Sequence, residues 1–171
     1  MTLRIPTIAS TILLATVLLP AAPAASQDAV AVAVPFPTAY RSWAHVKSMA
    51  IVEDKHPLFA AFGGIHHVYA NALARTALQK GAPFPDGSVL VFDLLEAPKA
   101  DGAHTEGARK FVAAMARDEK KYAATGGWGY QAWGGGEAKK PALAKASDQA
   151  GCHQCHMQVA KTGFVYSQWR R

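Results

Sequence analysis

The stretch Ser88-Val-Leu-Val-Phe-Asp-Leu-Leu95 is the clearest strand signal in the chain. It is rich in apolar and β-branched residues, and the turn sequence Pro85-Asp86-Gly87 stands directly before it. Further strands are predicted at 65–69, 111–116 and 128–133. Helices are predicted at 40–50, where Trp43, Val46 and Ala50 share one side, at 70–80, and at the C-terminal end. Strands in succession with flanking helices predict an α+β fold built on an antiparallel sheet.

Two segments show no regular pattern. Residues 27–37 are predicted to be a loose leader with little to pack, and residues 134–146 a mobile connection rich in Gly, Lys and Ala. The final helix then follows this connection.

The N-terminal residues 1–25 are predicted to be a secretory signal peptide. Arg4 supplies a positive start, residues 8–19 supply an apolar core, and Ala22-Pro23-Ala24 offers a cleavage site. A membrane anchor is the alternative, but the apolar run is short for a bilayer span. We therefore expect a periplasmic protein with one domain, residues 26–171, and no membrane association after cleavage.

The charge balance indicates which partners to expect. The chain has 18 Lys and Arg against 12 Asp and Glu, a net charge of +6. The lysines are scattered rather than clustered, so no nucleic-acid partner is predicted. An acidic periplasmic redox partner is compatible with this surface.

The only two cysteines lie in Cys152-His153-Gln154-Cys155-His156, a C-x-x-C-H motif. On a helix, residues i, i+3 and i+4 share one face. Cys152 and Cys155 can therefore bind the two vinyl groups of a haem while His156 ligates the iron. A disulfide or thiol-redox pair and half of a zinc site are the alternatives. Zinc needs further ligands, and a redox pair usually accompanies a βαβ pattern. We predict one covalent haem c.

The sixth ligand of the iron is not evident in the sequence. Met157 directly follows the proximal histidine and faces away from it. The upstream candidates are Met49, Met115, His45, His56, His66, His67 and His104. Each is more often a core methionine or a surface histidine than an axial ligand, so we expect an open sixth position.

Three motifs taken in order carry a resemblance to a known family. They are Phe84-Pro-Asp-Gly-Ser-Val-Leu-Val-Phe-Asp-Leu94, Thr125-Gly-Gly-Trp-Gly-Tyr130, and Cys152–His156 followed by Ala160-Lys-Thr and Val165-Tyr-Ser167. The chain from about residue 40 to 169 resembles the cytochrome P-460 / cytochrome c′-beta superfamily. The resemblance implies an antiparallel-sheet homodimer with one covalent haem per subunit and a commonly five-coordinate iron. An all-helical cytochrome c′ is the alternative fold, against which the strand at 88–95 argues.

One position separates two chemistries within this superfamily. Cytochromes P-460 carry a lysine after the Asp-Gly turn that bonds to the haem edge and supports hydroxylamine oxidation. The matching residue here is Phe92, which has no nucleophilic nitrogen. It resembles the phenylalanine cap of cytochrome c′-beta, for which Phe62 is the expected second ring and Phe59 the alternative.

A phenyl cap offers no hydrogen-bond donor to a bound ligand, which disfavours dioxygen more than nitric oxide or carbon monoxide. It also lacks an acid or base for turnover. We therefore expect a non-enzymatic cytochrome that binds these two gases, for nitric oxide scavenging or transport. A P-460-type hydroxylamine or nitric oxide oxidoreductase and a plain electron-transfer cytochrome are the alternatives.

Overall fold

A computed structural model describes residues 33–170 of the chain, and the predicted signal peptide lies outside these residues. The strands are β1 (Ala44–Ile51), β2 (Gly64–Ala70), β3 (Val89–Leu95), β4 (Lys99–Ala100), β5 (Ala103–His104), β6 (Arg109–Arg117) and β7 (Trp128–Gly134). The α-helices are α1 (Phe59–Phe62), α2 (Ala72–Lys80) and α3 (Ala146–His156). Short 3-10 turns cover Tyr40–Ser42, Ala123–Thr125 and Met157–Thr162. Within the described part of the chain, no helix has the length and apolarity needed to cross a membrane.

The main sheet has five strands in the order β1-β2-β3-β6-β7, and every neighbouring pair is antiparallel. Strands β4 and β5 form a separate small hairpin between β3 and β6. The predicted α+β class with an antiparallel sheet is thus confirmed, and the C-terminal helix carries the C-x-x-C-H motif.

The two faces of the sheet have separate apolar cores, because successive side chains of a strand point to opposite faces. The first face contains Leu90 and Met115, which pack with α2 and the C-terminal segment. The second face contains Val91 and Val112, which pack with the chain before β1. Strand β3 is at the centre of the sheet and contributes to both cores, so its sequence, apart from the buried Asp93, is apolar rather than alternating.

The helix predicted at residues 40–50 is wrong, because β1 occupies most of this stretch and pairs with β2 from Ala44 to Ile51. A bulge between His45 and Lys47 interrupts the alternation of side chains. Strand β1 is also an edge strand, and only Val46 and Ile51 are buried in it. Without a period of two, the spacing of its apolar residues resembles that of a helix.

The chain before β1 also packs more than predicted. In the described part of the leader, Val34 is buried, and the Phe36 ring lies edge-on to Trp133 with centroids 5.0 Å apart. The segment after β7 is held to the sheet as well. The Gln131 side chain accepts a hydrogen bond from the Leu143 N–H and donates one to the Leu143 carbonyl, both at 2.9 Å.

Candidate haem site

The C-x-x-C-H motif forms the last five residues of α3. Both cysteines are free thiols, with Cys152 half-buried and Cys155 exposed. Cys152 packs against the core on the first face of the sheet. The Tyr166 hydroxyl donates a hydrogen bond of 2.9 Å to the Cys155 carbonyl and so fastens the following segment to the end of α3. The motif therefore presents two free thiols beside the sheet.

A backbone carbonyl fixes the orientation of the His156 ring. His156 Nδ1 lies 2.7 Å from the Phe164 carbonyl oxygen, which can only accept, so Nδ1 carries the proton. The other ring nitrogen, Nε2, then keeps its lone pair for a metal. A hydrogen bond of this kind to the second ring nitrogen is the usual accompaniment of a metal-ligating histidine.

Two residues in left-handed backbone conformation bring this carbonyl into place. Gly163 has φ +69° and Phe164 has φ +67°. A glycine adopts this conformation freely, whereas a phenylalanine does so at a cost. Such strain often marks a functional site. Here it places the Phe164 carbonyl against His156.

The environment keeps the groups around the motif neutral. Burial lowers the pKa of His156 and favours the neutral imidazole that ligates a metal. Burial also raises the pKa of the Cys152 thiol and of the Tyr130 hydroxyl. The buried setting on this side of α3 therefore favours the uncharged forms of these groups.

Aromatic rings and a glycine turn surround the end of α3. The Tyr130 ring centroid lies 5.1 Å from that of His156, and Phe164 lies 5.2 Å from His153. Gly126 has φ +63°, and a Cβ there would come within 3.0 Å of the His153 ring. The glycine-rich segment before β7 is thus shaped to allow close approach of α3.

A patch of small side chains lies next to Tyr130 on the same sheet face. Residues Phe92, Ala113 and Ala132 stand directly opposite one another across β3, β6 and β7. Ala132 is two residues from Tyr130 and so shares its face, about 7 Å along the strand. Both alanines are only half-buried although they lie within the sheet. This leaves a shallow apolar floor beside the histidine.

Three phenylalanine rings border this floor. The centroids of Phe62 and Phe92 are 5.7 Å apart, and those of Phe92 and Phe111 are 5.8 Å apart in a stacked arrangement. Phe62 and Phe111 are 6.3 Å apart. All three are half-buried, so each ring keeps an open side. We call Phe62, Phe92 and Phe111 the phenylalanine cluster.

His66 is the polar residue stacked against this cluster. Its ring centroid lies 4.3 Å from that of Phe92, and the residue is 6% exposed. Its Nδ1 is buried with no hydrogen-bond partner among the described residues. Burial, together with the nearby His67 and Lys47, lowers the pKa of His66 to about 4. The ring is therefore neutral at neutral pH.

Several of the other sixth-ligand candidates lie away from His156. His67 lies on the second face, where its cross-strand neighbour is Asp93. The His45 ring packs against the His67 ring. On the first face, His66 is three strands from Tyr130 and offset by four residues along the sheet, roughly 20 Å away. Met115 is buried in the core that Cys152 joins, and Met49 is exposed at the edge of the sheet. His45, His66, His67 and Met49 therefore lie too far from His156, or on the wrong face of the sheet, to share one iron atom with it.

The structure brings together two groups of predicted site residues. Cys152, Cys155 and His156 share the end of α3, and Phe62 contacts Phe92. Phe59 lies one turn earlier, against Gly63. Sequence reasoning missed Phe111, Tyr130 and Phe164. Tyr130 belongs to the motif Thr125–Tyr130 and could have been predicted from it. Phe111 reaches the site through the pairing of β3 with β6, and Phe164 contributes a backbone carbonyl, so no sequence motif indicates either residue.

These residues fit a haem on the first face of the sheet. Two thiols, an oriented imidazole with a free Nε2 and an uncovered apolar floor are the features that a covalently tethered haem requires. Fold and site together define a class: c-type cytochromes built on an antiparallel sheet, with the haem motif in the C-terminal helix.

The family follows from direct comparison. The cytochrome P460 family matches residues 37–167, and the chain belongs to this family. Membership implies a haem cofactor, and members of the family are secreted periplasmic proteins. A comparison with curated proteins finds no match.

Proposed function

We propose that this chain is a periplasmic monohaem c cytochrome that binds nitric oxide and carbon monoxide without turning them over. Cys152 and Cys155 tether the haem, His156 is the proximal ligand, and the sixth position is open. The observation that carries the proposal is the phenylalanine cluster beside the floor formed by Ala113 and Ala132.

The haem iron supplies a Lewis-acid site for a diatomic gas. The chain supplies the setting for it. Phenyl rings exclude water and offer no hydrogen-bond donor, so a ligand that gains negative charge on binding is not stabilised. His66 is neutral and stacks against Phe92. Such a pocket favours nitric oxide and carbon monoxide over dioxygen.

A second candidate function, P-460-type oxidation, is supported by one lysine. Lys47 of β1 stands opposite Val68, which stands opposite Phe92, so all three share the first face. Its charge lies close enough to depress the pKa of His66. Lys80, by contrast, lies at the end of α2 and not on a strand of the sheet. If a lysine is bonded to the haem in this protein, Lys47 is the residue to examine.

Optical spectra of the haem-loaded protein test the proposal. We expect a five-coordinate ferrous spectrum that shifts with nitric oxide and with carbon monoxide and changes little with dioxygen. After denaturation, the haem should show the spectrum of an ordinary two-thioether haem c. Turnover of hydroxylamine with an electron acceptor, together with a haem peptide that contains Lys47, would instead establish the second function. A six-coordinate ferrous haem indifferent to carbon monoxide would establish electron transfer.

Assembly and processing form part of the same proposal. We propose that the mature protein comprises residues 26–171 as one domain and forms a homodimer. Mass spectrometry of the exported protein gives the first residue and the mass of one haem per chain. Light scattering gives the oligomeric state, and a monomer at micromolar concentration would contradict the dimer.

A further inference from the structure

We infer that His45 and His67 form a binding site for a divalent transition-metal ion on the second face of the sheet, apart from the haem. The ion belongs to the class that prefers imidazole nitrogen, such as Cu²⁺ or Zn²⁺. The side chains of His45, Ser48, His67 and Glu106 build the site, and none of them belongs to the proposed haem site.

Two imidazole nitrogens converge on one point. His45 Nε2 lies 2.8 Å from Ser48 Oγ, and His67 Nδ1 lies 2.7 Å from the same oxygen. The two ring centroids are 5.7 Å apart. The pairing of β1 with β2 sets this arrangement, because Ser48 stands directly opposite His67. Both histidines are therefore positioned by strands rather than by a loop.

The outer nitrogen of His67 is also engaged. His67 Nε2 lies 2.6 Å from Glu106 Oε1. A carboxylate or carbonyl on the outer nitrogen is the arrangement that orients metal-ligating histidines and makes them better ligands. It leaves the inner nitrogen with its lone pair.

The Ser48 oxygen joins the two imidazoles at one centre. Glu106 accepts a hydrogen bond from His67 Nε2–H, so Nδ1 of the neutral His67 ring is an acceptor that faces Ser48 Oγ. With His45 in its Nδ1–H tautomer, an ion in place of the hydroxyl proton would be bound by His67 Nδ1, His45 Nε2 and the Ser48 oxygen.

The chemistry of the site selects the metal class. Imidazole suits zinc, copper and nickel, and copper binds most tightly among divalent first-row ions. Across residues 33–170, no three His, Cys, Asp or Glu side chains form a metal cluster. The coordination would therefore consist of two imidazoles, the Ser48 hydroxyl and water. Arg170 near His45 opposes a cation, whereas Glu106 favours it.

Calorimetric titration of the haem-loaded protein with CuSO₄ and with ZnCl₂, after treatment with EDTA, tests the inference. We expect one ion per chain and an unchanged haem spectrum. His45→Gln and His67→Gln should each remove this binding. Glu106→Gln removes only the outer partner and should weaken binding by roughly 10- to 100-fold. Since Glu106 is an exposed side chain, this variant should fold.

His104→Gln is the matched control, because it removes an exposed imidazole whose Nδ1 is bound to the Ala97 carbonyl. It should bind one ion as the unaltered protein does. If the His45→Gln and His67→Gln variants bind the ion as tightly as the unaltered protein, the inference is overturned. It is also overturned if His104→Gln loses as much ion binding as those two variants, or if the haem spectrum shifts in proportion to the added ion.

Discussion

Phe92 is the residue on which gas selectivity should depend. Phe92→Tyr keeps the ring and adds a hydroxyl, which can donate a hydrogen bond to a ligand that gains charge. A net hydrogen bond of about 0.5–1.5 kcal/mol corresponds to a rise of roughly 2- to 10-fold in affinity for dioxygen relative to carbon monoxide. Flash photolysis of both complexes measures this ratio, and Phe62→Tyr repeats the test from the neighbouring ring.

The control places the same hydroxyl on the opposite face of the sheet. Phe36 packs against Trp133 in the second core, so Phe36→Tyr should leave the ratio unchanged. An unchanged ratio in both Phe92→Tyr and Phe62→Tyr would contradict an apolar distal pocket formed by these rings.

His66 should make the stability of the protein depend on pH. Its pKa is lowered to about 4 from an ordinary value of 6.5, so the unfolded chain binds this proton more tightly than the folded one. Stability is then lost as the pH falls from about 6.5 to about 4, by roughly 1–3 kcal/mol, and is flat above and below that window. Urea denaturation at pH 7 and at pH 4.5 measures the loss.

The His66→Phe variant should lose less stability over the same interval, because its ring carries no proton. The exposed His56 serves as the comparison, and His56→Gln should keep the full pH dependence. If His66→Phe and the unaltered protein lose the same stability, burial of a neutral His66 is not the cause.

At the scale of elements, the turn before β7 governs the position of α3. Gly126→Ala forces a side chain into a left-handed conformation, at about 1–2 kcal/mol, and adds a contact with His153 and Phe164. We expect the loss of stability to exceed this conformational cost, and we expect an altered haem spectrum. Thermal melts and absorption spectra report the two effects.

Gly81 separates the two contributions. It has φ +61°, and a Cβ there meets nothing within 4 Å, so Gly81→Ala carries the conformational cost only. If Gly126→Ala and Gly81→Ala destabilise the protein equally and leave the spectrum unchanged, the close approach of α3 to this turn is unimportant.

The elements also show what a sequence can and cannot predict. Strands β2, β3, β6 and β7 were predicted because apolar residues cluster between clear turn signals, and α2 because it is rich in helix formers. Strand β1 was not, since a bulge and an exposed edge hide its alternation. The residues of the motif were evident from their spacing. Phe111 was not, because its place beside Phe92 depends on how β3 and β6 pair.

At the scale of the whole molecule, one sheet separates two cores, and a substitution in one core should leave the other unaffected. Asp93 on the second face is 1% exposed and accepts hydrogen bonds from the Tyr40 hydroxyl at 2.8 Å and from Arg109 Nε at 2.6 Å. Asp93→Asn leaves the guanidinium without its counter-charge. We expect a loss of about 2–4 kcal/mol in urea denaturation, with ligand binding at the haem unchanged.

An exposed ion pair provides the comparison. Glu137→Gln removes the partner of Lys140, where both side chains are more than half exposed, and should cost less than about 0.5 kcal/mol. A loss of gas binding in Asp93→Asn, in protein that is still folded, would contradict the independence of the two faces.

The bond from His156 to the Phe164 carbonyl also bears on the order in which the protein assembles. Every strand of the sheet precedes α3 along the chain, and the carbonyl that orients His156 follows it. Chains are synthesised from the N-terminus, and their parts can fold as they emerge. The sheet with its phenylalanine cluster can thus exist before the imidazole has an orientation. We expect that attachment of the cofactor is a late event in biogenesis, in which a tethering segment closes over a surface already formed.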